Sequence, residues 1–206
     1  MSLSAPSNGP AAGRNTLTQD FLDCGDEWLL WLDDDMGFAP DTVDRLLSVA
    51  NETTHPIVGA LCFSLRELGL DGLGGFHCVV RPTIYEWTEQ GDSKQFAAQT
   101  DYAPDTVIPV AATGSACILI HRTVIETLLN RHDEDPQFGK PYDPIRGSGG
   151  NLLGEDISFC VRATSCDRPI HVHTGVQTNH MKSIWVSEHS YESERILTQT
   201  MMEVSA

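Results

Sequence analysis

Three consecutive carboxylates, Asp33, Asp34 and Asp35, directly follow the apolar run Trp28–Leu32. Carboxylates this close together repel one another, and desolvation at the end of a buried strand increases the repulsion. A hard divalent cation removes it, and Mg²⁺ or Mn²⁺ typically binds one or two carboxylates together with substrate phosphates. The triplet therefore predicts a cation site at the end of a strand; an exposed acidic turn is the alternative.

Two other Asp-rich motifs partly match this stretch. An EF-hand loop that begins at Asp33 would have Phe38 where its turn requires glycine, and Asp44 in place of the final Glu. A phosphatase with an aspartyl nucleophile in a DxDxT motif requires threonine at the position of Gly37. The EF-hand is therefore excluded, whereas a metal-dependent phosphatase stays open as an alternative.

A second acidic pair, Glu155 and Asp156, follows the Gly-rich residues 147–150 and opens a predicted helix. The helix macrodipole favours ionised carboxylates in the first turn. An ionised carboxylate beside a flexible loop suits a general base that removes a hydroxyl proton. Acidic residues in a first turn are also ordinary capping devices, so catalysis and capping are both compatible with the pair.

Several basic and imidazole side chains lie late in the chain: His171, His173, His180 and Lys182. Strand alternation places His171 and His173 on one face. A neutral imidazole such as His180 is a suitable additional ligand for a cation held by carboxylates. Lys182 can meet a phosphate as a point charge. Structural or exposed histidines are the alternative interpretation.

An α/β domain is expected to position these residues, because helices and buried strands alternate along the chain. Apolar periodicity predicts helices at residues 14–22, 41–50, 122–130 and 153–164, and strands at residues 28–32, 57–63, 107–112, 116–120 and 169–176. Residues 64–106 are less regular, and the composition of residues 131–150 predicts a mobile loop. The domain is expected to span residues 14–186, between a disordered lead-in at 1–13 and a C-terminal helix or tail at 187–206.

The acidity of the chain restricts its partners. It carries 29 Asp and Glu against 13 Lys and Arg, a formal net charge of −16. Such a charge argues against nucleic-acid binding and against anionic membrane surfaces. No apolar run approaches the ~20 residues of a transmembrane segment, and residues 1–10 lack the pattern of a secretory signal. The six cysteines form no CxxC pair and are expected as reduced thiols in a cytoplasmic protein.

Together, these motifs resemble those of glycosyltransferases with the GT-A fold, especially family 2-like members of bacteria and their phages. Residues 28–36 look like the strand that leads into the family's DxD motif, and residues 154–160 look like its "ED" segment. Residues 113–122 are similar to the glycine-led middle strand, and residues 179–182 to the late His-containing segment. Arg14-Asn15 resembles the Arg-Asn pair before the DxD strand. The resemblance implies a single GT-A, Rossmann-like domain with a mostly parallel central sheet flanked by helices.

The resemblance also implies an activity: transfer of a hexose-like sugar from a nucleotide donor, such as a UDP- or GDP-sugar, to an unknown acceptor hydroxyl with Mn²⁺ or Mg²⁺. Asp33, Asp35 and His180 match the metal ligands, with Asp35 the more direct of the two acids. Asp156 matches the base of inverting enzymes, with Glu155 as its neighbour; in a retaining enzyme Asp156 would position the substrate. The residues matched to the donor are Asp33, Asp34, Arg14 and Lys182.

The beginning of the chain departs from the family pattern. GT-A domains normally start with a strand and a helix that hold the nucleotide base, whereas 13 residues precede Arg14. The resemblance therefore implies an N-terminally shortened domain, and a non-catalytic GT-A domain that acts as a binding module is the alternative to an active enzyme. Residues 1–60 hold ten acidic and two basic residues, so an anionic donor is expected to bind only when a divalent cation is present.

Overall fold

A computed structural model describes residues 9–70, 76–90, 93–147 and 150–183, together with residues 188, 192 and 195. The helices of this part are α1 (Pro10–Cys24), α2 (Thr42–Val49), α3 (Arg122–Glu134) and α4 (Glu155–Ser165). The strands are β1 (Trp28–Leu32), β2 (Met36–Phe38), β3 (Ile57–Leu61), β4 (Phe63–Leu70), β5 (Phe76–Pro82), β6 (Ile84–Gln90), β7 (Ser93–Ala98), β8 (Val107–Val110), β9 (Ala112–Thr113), β10 (Cys117–His121) and β11 (Ile170–His180). The expected α/β composition is thus present, with helices on a central sheet.

The central sheet has the strand order β1-β10-β3-β11-β2, and β8 pairs with the first residues of β11. Only β3 and β11 run parallel; the other pairs in this sheet are antiparallel. The prediction of a mostly parallel sheet is therefore wrong, and the sheet is mixed and mostly antiparallel.

The physical reason lies in how the sheet is covered. Leu29 and Trp31 of β1 pack in a cluster with residues of α1, α3 and α4, whereas Leu30 packs in a second cluster around Leu46 of α2. All five residues of β3 are buried. Continuous apolar runs therefore report burial on both faces, and they carry no information about strand direction.

Residues 64–106, for which the sequence indicates little regular structure, contribute two smaller sheets. Strands β4 and β5 pair antiparallel, with Phe63 opposite Pro82. Strand β6 pairs antiparallel with both β7 and β9. These strands mix polar and apolar residues without strict alternation, so the period-2 signal that identifies half-buried strands is weak in them.

The ends of two segments also differ from expectation. Helix α1 begins at Pro10, so residues 10–13 are helical and not part of a disordered lead-in; proline is well suited to the first helical position. Helix α3 continues to Glu134 and is followed by a 3₁₀ turn at Pro136–Phe138. Tyr142, inside the predicted mobile loop, is fully buried. Residues 1–8 of the predicted lead-in, residues 71–75 and most of the 187–206 tail lie outside the described residues.

In the described part of the chain, no helix has the length and apolarity needed to cross a bilayer. The cysteines whose side chains are described are free thiols: Cys24, Cys62, Cys117, Cys160 and Cys166.

Candidate functional site

The acidic triplet lies between β1 and β2, and pairing of β2 with the distant strand β11 fixes its position. Strand β1 ends at Leu32, the chain turns through residues 33–35, and it returns as β2. Strand β2 pairs with the end of β11, so Met36 lies opposite His180. The Met181 amide also donates to the Asp35 carbonyl at 2.9 Å. This register holds the Asp35 side chain beside the residues that follow β11.

Asp35 is the centre of a three-residue cluster. Lys182 Nζ donates to Asp35 Oδ2 at 2.9 Å, and His180 Nε2 lies 3.0 Å from the same oxygen. The hydrogen bond from Lys182 lowers the pKa of Asp35 most; burial opposes this effect and the charge of His180 adds to it. The structure therefore brings His180 and Lys182 together at one carboxylate oxygen of Asp35.

The opposite nitrogen of His180 determines what this cluster can bind. His180 Nδ1 lies 2.9 Å from the Phe63 carbonyl oxygen, which can only accept a hydrogen bond, so Nδ1 carries a proton. In a neutral ring, Nε2 then presents a lone pair to the Asp35 carboxylate. Two acceptors 3.0 Å apart require a proton or a cation near both. Metal-binding histidines usually donate their other N–H to a carbonyl or carboxylate in this way, so Asp35 and His180 fit a divalent cation.

Asp33 is held elsewhere. Arg14 Nη2 donates to Asp33 Oδ1 at 2.9 Å. Arg14 Nε is buried without a hydrogen-bond partner, and Glu155 Oε1 lies 4.0 Å from it. Among the described residues no group of three or more His, Cys, Asp or Glu side chains converges on a possible metal position. The predicted ligand set of Asp33, Asp35 and His180 is therefore only partly assembled, because Asp33 pairs with Arg14.

Aromatic side chains that sequence reasoning missed hold Arg14 in place. The Arg14 guanidinium carbon lies 5.0 Å from the centre of the Trp31 ring and 6.0 Å from that of Tyr142. Trp31 Nε1 donates to the Tyr142 hydroxyl at 2.7 Å, and Tyr142 stacks on Phe159. In the sequence, Tyr142 stands out only as an aromatic residue in the polar segment 131–150. This does not reveal that its partner is Trp31, 111 positions away.

Asn15 fastens the segment that carries Tyr142. Its Oδ1 accepts from the Tyr142 amide at 3.0 Å, and its Nδ2 donates to Asp143 Oδ1 at 2.8 Å. The Arg14-Asn15 pair therefore has two separate tasks: Arg14 points to the acidic turn, and Asn15 fixes the loop that supports Arg14.

Two cavities flank the Asp35 cluster. The first has a volume of about 590 Å³ and is lined by Pro10, Arg14, Leu17, Trp31, Leu32, Asp33, Asp34, Asp35 and Glu155. The second has a volume of about 420 Å³ and is lined by Phe63, Ser64, Leu65, Val80, Thr178, Asn179, His180 and Lys182. Both volumes lie in the range of small-molecule sites. Asp35 lines the first cavity and its partners His180 and Lys182 line the second, so the cluster lies between the two cavities.

The two acids at the start of α4 point in different directions. Glu155 lines the larger cavity. Asp156 Oδ1 accepts from the Ile157 amide at 2.7 Å, and its Oδ2 lies 3.7 Å from where a Cβ would stand on Gly114. Desolvation raises the pKa of Asp156, and the nearby charge of Glu155 raises it further, against the hydrogen bond from Ile157. Asp156 is therefore a more basic carboxylate than an exposed aspartate.

His171 and His173, the other histidines singled out in the sequence, make contacts apart from this cluster. The rings of His171 and His55 pack edge to face with their centres 4.4 Å apart. His173 Nδ1 accepts from the Gly175 amide at 3.2 Å. Burial lowers the pKa of both His171 and His173. The structure thus brings His180 to the acidic turn and gives His171 and His173 other contacts.

No family model matches the chain, and no curated protein matches it. Among solved structures, the chain is similar to A197 from STIV, with 16% sequence identity, 85% of this chain and 69% of that chain covered, and a TM-score of 0.49.

Proposed function

We propose that this protein is a metal-dependent glycosyltransferase with a GT-A-like domain, which transfers a sugar from a nucleoside-diphosphate sugar to an acceptor hydroxyl. The observation that carries the proposal is the pairing of Asp35 with His180 at the edge of a cavity that also contains Arg14. A carboxylate suits Mn²⁺ or Mg²⁺, an imidazole can complete the ligands of Mn²⁺, and a guanidinium suits phosphate oxygens. A diphosphate can bind both the cation and the Arg14 guanidinium.

Each residue then has a role set by its contacts. Asp35 and His180 would hold the cation, which when bound neutralises negative charge that develops on the departing diphosphate. Arg14 has a buried Nε without a hydrogen-bond partner, so it can donate to a donor oxygen. Asp33 keeps Arg14 in place, and Asp34 lines the same cavity. Lys182 supplies a second positive charge.

Asp156 is the residue proposed to accept the acceptor's hydroxyl proton. Burial makes its carboxylate more basic than that of an exposed aspartate. In an inverting transfer, the acceptor oxygen bonds to the sugar carbon, the bond from that carbon to the diphosphate breaks, and the proton passes to Asp156. Its neighbour in the chain, Glu155, lines the larger cavity, 4.0 Å from Arg14 Nε.

A non-catalytic domain that binds a nucleotide sugar is the second candidate. The observation that favours it is the pairing of Asp33 with Arg14, which leaves the cation site with two of the three expected protein ligands. Both candidates predict cation-dependent donor binding, and only the first predicts turnover.

Calorimetric titration with a panel of UDP- and GDP-sugars, with and without Mn²⁺, tests the proposal. We expect binding of at least one donor only when Mn²⁺ is present, and loss of that binding in Asp35→Asn. The matched control is Asp44→Asn, which removes the same charge from an exposed position on α2 and should leave binding unchanged.

Chromatographic detection of released nucleoside diphosphate then separates the two candidates. Slow donor hydrolysis that disappears in Asp156→Asn supports the transferase. Tight, Mn²⁺-dependent binding without hydrolysis or transfer supports the binding domain. If no donor binds in a Mn²⁺-dependent manner, both candidates are contradicted.

A further inference from the structure

We infer that Lys182 is a built-in competitor of the divalent cation: its ammonium group pairs with Asp35 Oδ2, the oxygen next to His180 Nε2, until the cation displaces it. The identity of the donor rests on the proposed function. The competition itself concerns the metal and this chain alone.

The contacts around one oxygen atom carry the inference. Asp35 Oδ2 receives Lys182 Nζ at 2.9 Å and lies 3.0 Å from His180 Nε2. The Phe63 carbonyl fixes the proton of His180 on Nδ1, so the atom facing Asp35 is the nitrogen that would coordinate a metal. The ammonium group therefore stands on the same carboxylate oxygen that a cation shared with His180 would use.

A divalent cation and the Lys182 ammonium cannot both occupy this position. They carry charges of the same sign, and a cation about 2.1 Å from Asp35 Oδ2 would lie at most about 5 Å from an ammonium nitrogen that is 2.9 Å from that oxygen. Repulsion between like charges at such a separation is strong in a partly buried site. Binding of the metal therefore requires Lys182 to leave Asp35.

Lys182 is free to leave because of its position in the chain. It lies just beyond the last residue of β11, in a segment without regular secondary structure. Its side chain is 40% exposed and its flexible four-carbon stem allows the ammonium group to move into solvent. His180, in contrast, lies within β11 and is held by Phe63, so the lysine moves and the imidazole stays.

Displacement of Lys182 has a consequence for the order of binding. Without a donor, the lysine weakens metal binding because the metal must break its ion pair. With a donor present, the released ammonium gains the phosphate oxygens as new partners. Lys182 therefore makes metal and donor binding mutually dependent, and by linkage each strengthens the other by the same factor.

Mn²⁺ binding to the whole chain, monitored by the electron paramagnetic resonance signal of free Mn²⁺, measures the competition without any enzyme assay. We expect Lys182→Met to bind Mn²⁺ about 5- to 10-fold more tightly than the unchanged protein in the absence of nucleotide, which is the lower end of typical couplings between two sites. Lys182→Arg retains the positive charge and should restore the weaker binding.

Lys140→Met is the matched control, since it removes the same charge from a position that lines neither cavity of the candidate site. It should leave the Mn²⁺ affinity unchanged, and this excludes a general effect of the more negative net charge. Thermal melting of each variant confirms that the compared proteins are folded.

Equal or weaker Mn²⁺ binding by folded Lys182→Met would overturn the inference, as would a complete absence of Mn²⁺ binding in both proteins. A repeat of the titrations with UDP and with GDP tests the coupling: one of them should tighten Mn²⁺ binding more in the unchanged protein than in Lys182→Met. Tighter binding by Lys182→Met without any effect of either nucleotide would support the competition and contradict the proposed donor.

Discussion

At the level of single residues, the atoms behind the site decide its chemistry. The Phe63 carbonyl orients His180, and the Trp31 and Tyr142 rings orient Arg14. These three groups act on the site through His180 and Arg14. Each fixes the direction of a lone pair or a positive charge, and such fixed directions are what separate a ligand site from an ordinary ion pair.

Asp156 provides a prediction about pH. Its pKa is raised by burial, so the ionised carboxylate destabilises the folded state once the pH exceeds this raised value. The stabilisation that comes from a protonated Asp156 carboxyl is complete below the ordinary pKa of 3.8. It is lost as the pH rises through the raised pKa. Asp156→Asn, whose amide oxygen can still accept from Ile157, should therefore melt at a higher temperature than the unchanged protein at pH 7.5.

Thermal melts between pH 4.5 and 8 measure this effect. The increase in melting temperature of Asp156→Asn over the unchanged protein should become smaller as the pH falls. At pH 7.5 it should exceed the increase of the control Asp44→Asn, which alters an exposed carboxylate. An advantage that grows on acidification would contradict the burial argument.

At the level of helices, strands and loops, one buried arginine joins α4 to the loop that supports Arg14. Arg162 donates to the carbonyl oxygens of Phe138, Pro141 and Asp143. Gly139 has a φ of +77°, and a Cβ at that position would stand 2.6 Å from Arg162 Nη2, so glycine suits it on both counts. The Arg162 guanidinium thus fixes the conformation of this loop. The loop in turn places the Tyr142 ring against Arg14.

Loss of these contacts is expected to be costly. Arg162→Met leaves three carbonyl oxygens without their donor, and the free energy of unfolding should fall by about 2–4 kcal/mol. Urea denaturation measures the loss. The control is Arg146→Met, which alters an exposed arginine bonded to the Gly150 carbonyl and should change stability by less than about 0.5 kcal/mol. A loss in Arg162→Met as small as in the control would show that the loop is not held by this residue.

At the level of the whole molecule, the chain has 16 more acidic than basic side chains, so ion pairs within the chain leave a surplus of negative charge. Self-repulsion destabilises a compact chain, and salt screens it. The melting temperature should therefore rise by a few degrees, about 2–5 °C, between 20 and 300 mM NaCl, and scanning calorimetry measures it. A fall with added salt would mean that attractive ion pairs outweigh the repulsion.

A charge variant separates this repulsion from other effects of salt. Asp20→Lys and Asp133→Lys together change the net charge from −16 to −12, since each replaces a negative charge by a positive one. Both residues are exposed, and both lie in the second half of a helix, where lysine also suits the macrodipole. The melting temperature of the double variant should therefore rise less between 20 and 300 mM NaCl than that of the unchanged protein.

The local features of this protein can be predicted from the order of its residues. Apolar periodicity predicts the four helices and the core strands β1, β3, β8, β10 and β11, all of which the structure contains. The helices and strands depend on residues close together in the chain, where side-chain alternation and helix signals are strong.

Strand direction and the pairing of charges, in contrast, emerge only from the folded chain. Asp35 and His180 are 145 positions apart, and their contact depends on the register between β2 and β11. The same holds for Arg14, which pairs with Asp33 and thereby removes it from the predicted metal ligands. Such pairings depend on the path of the whole backbone, because burial specifies which face of a strand is covered but not which distant strand lies beside it.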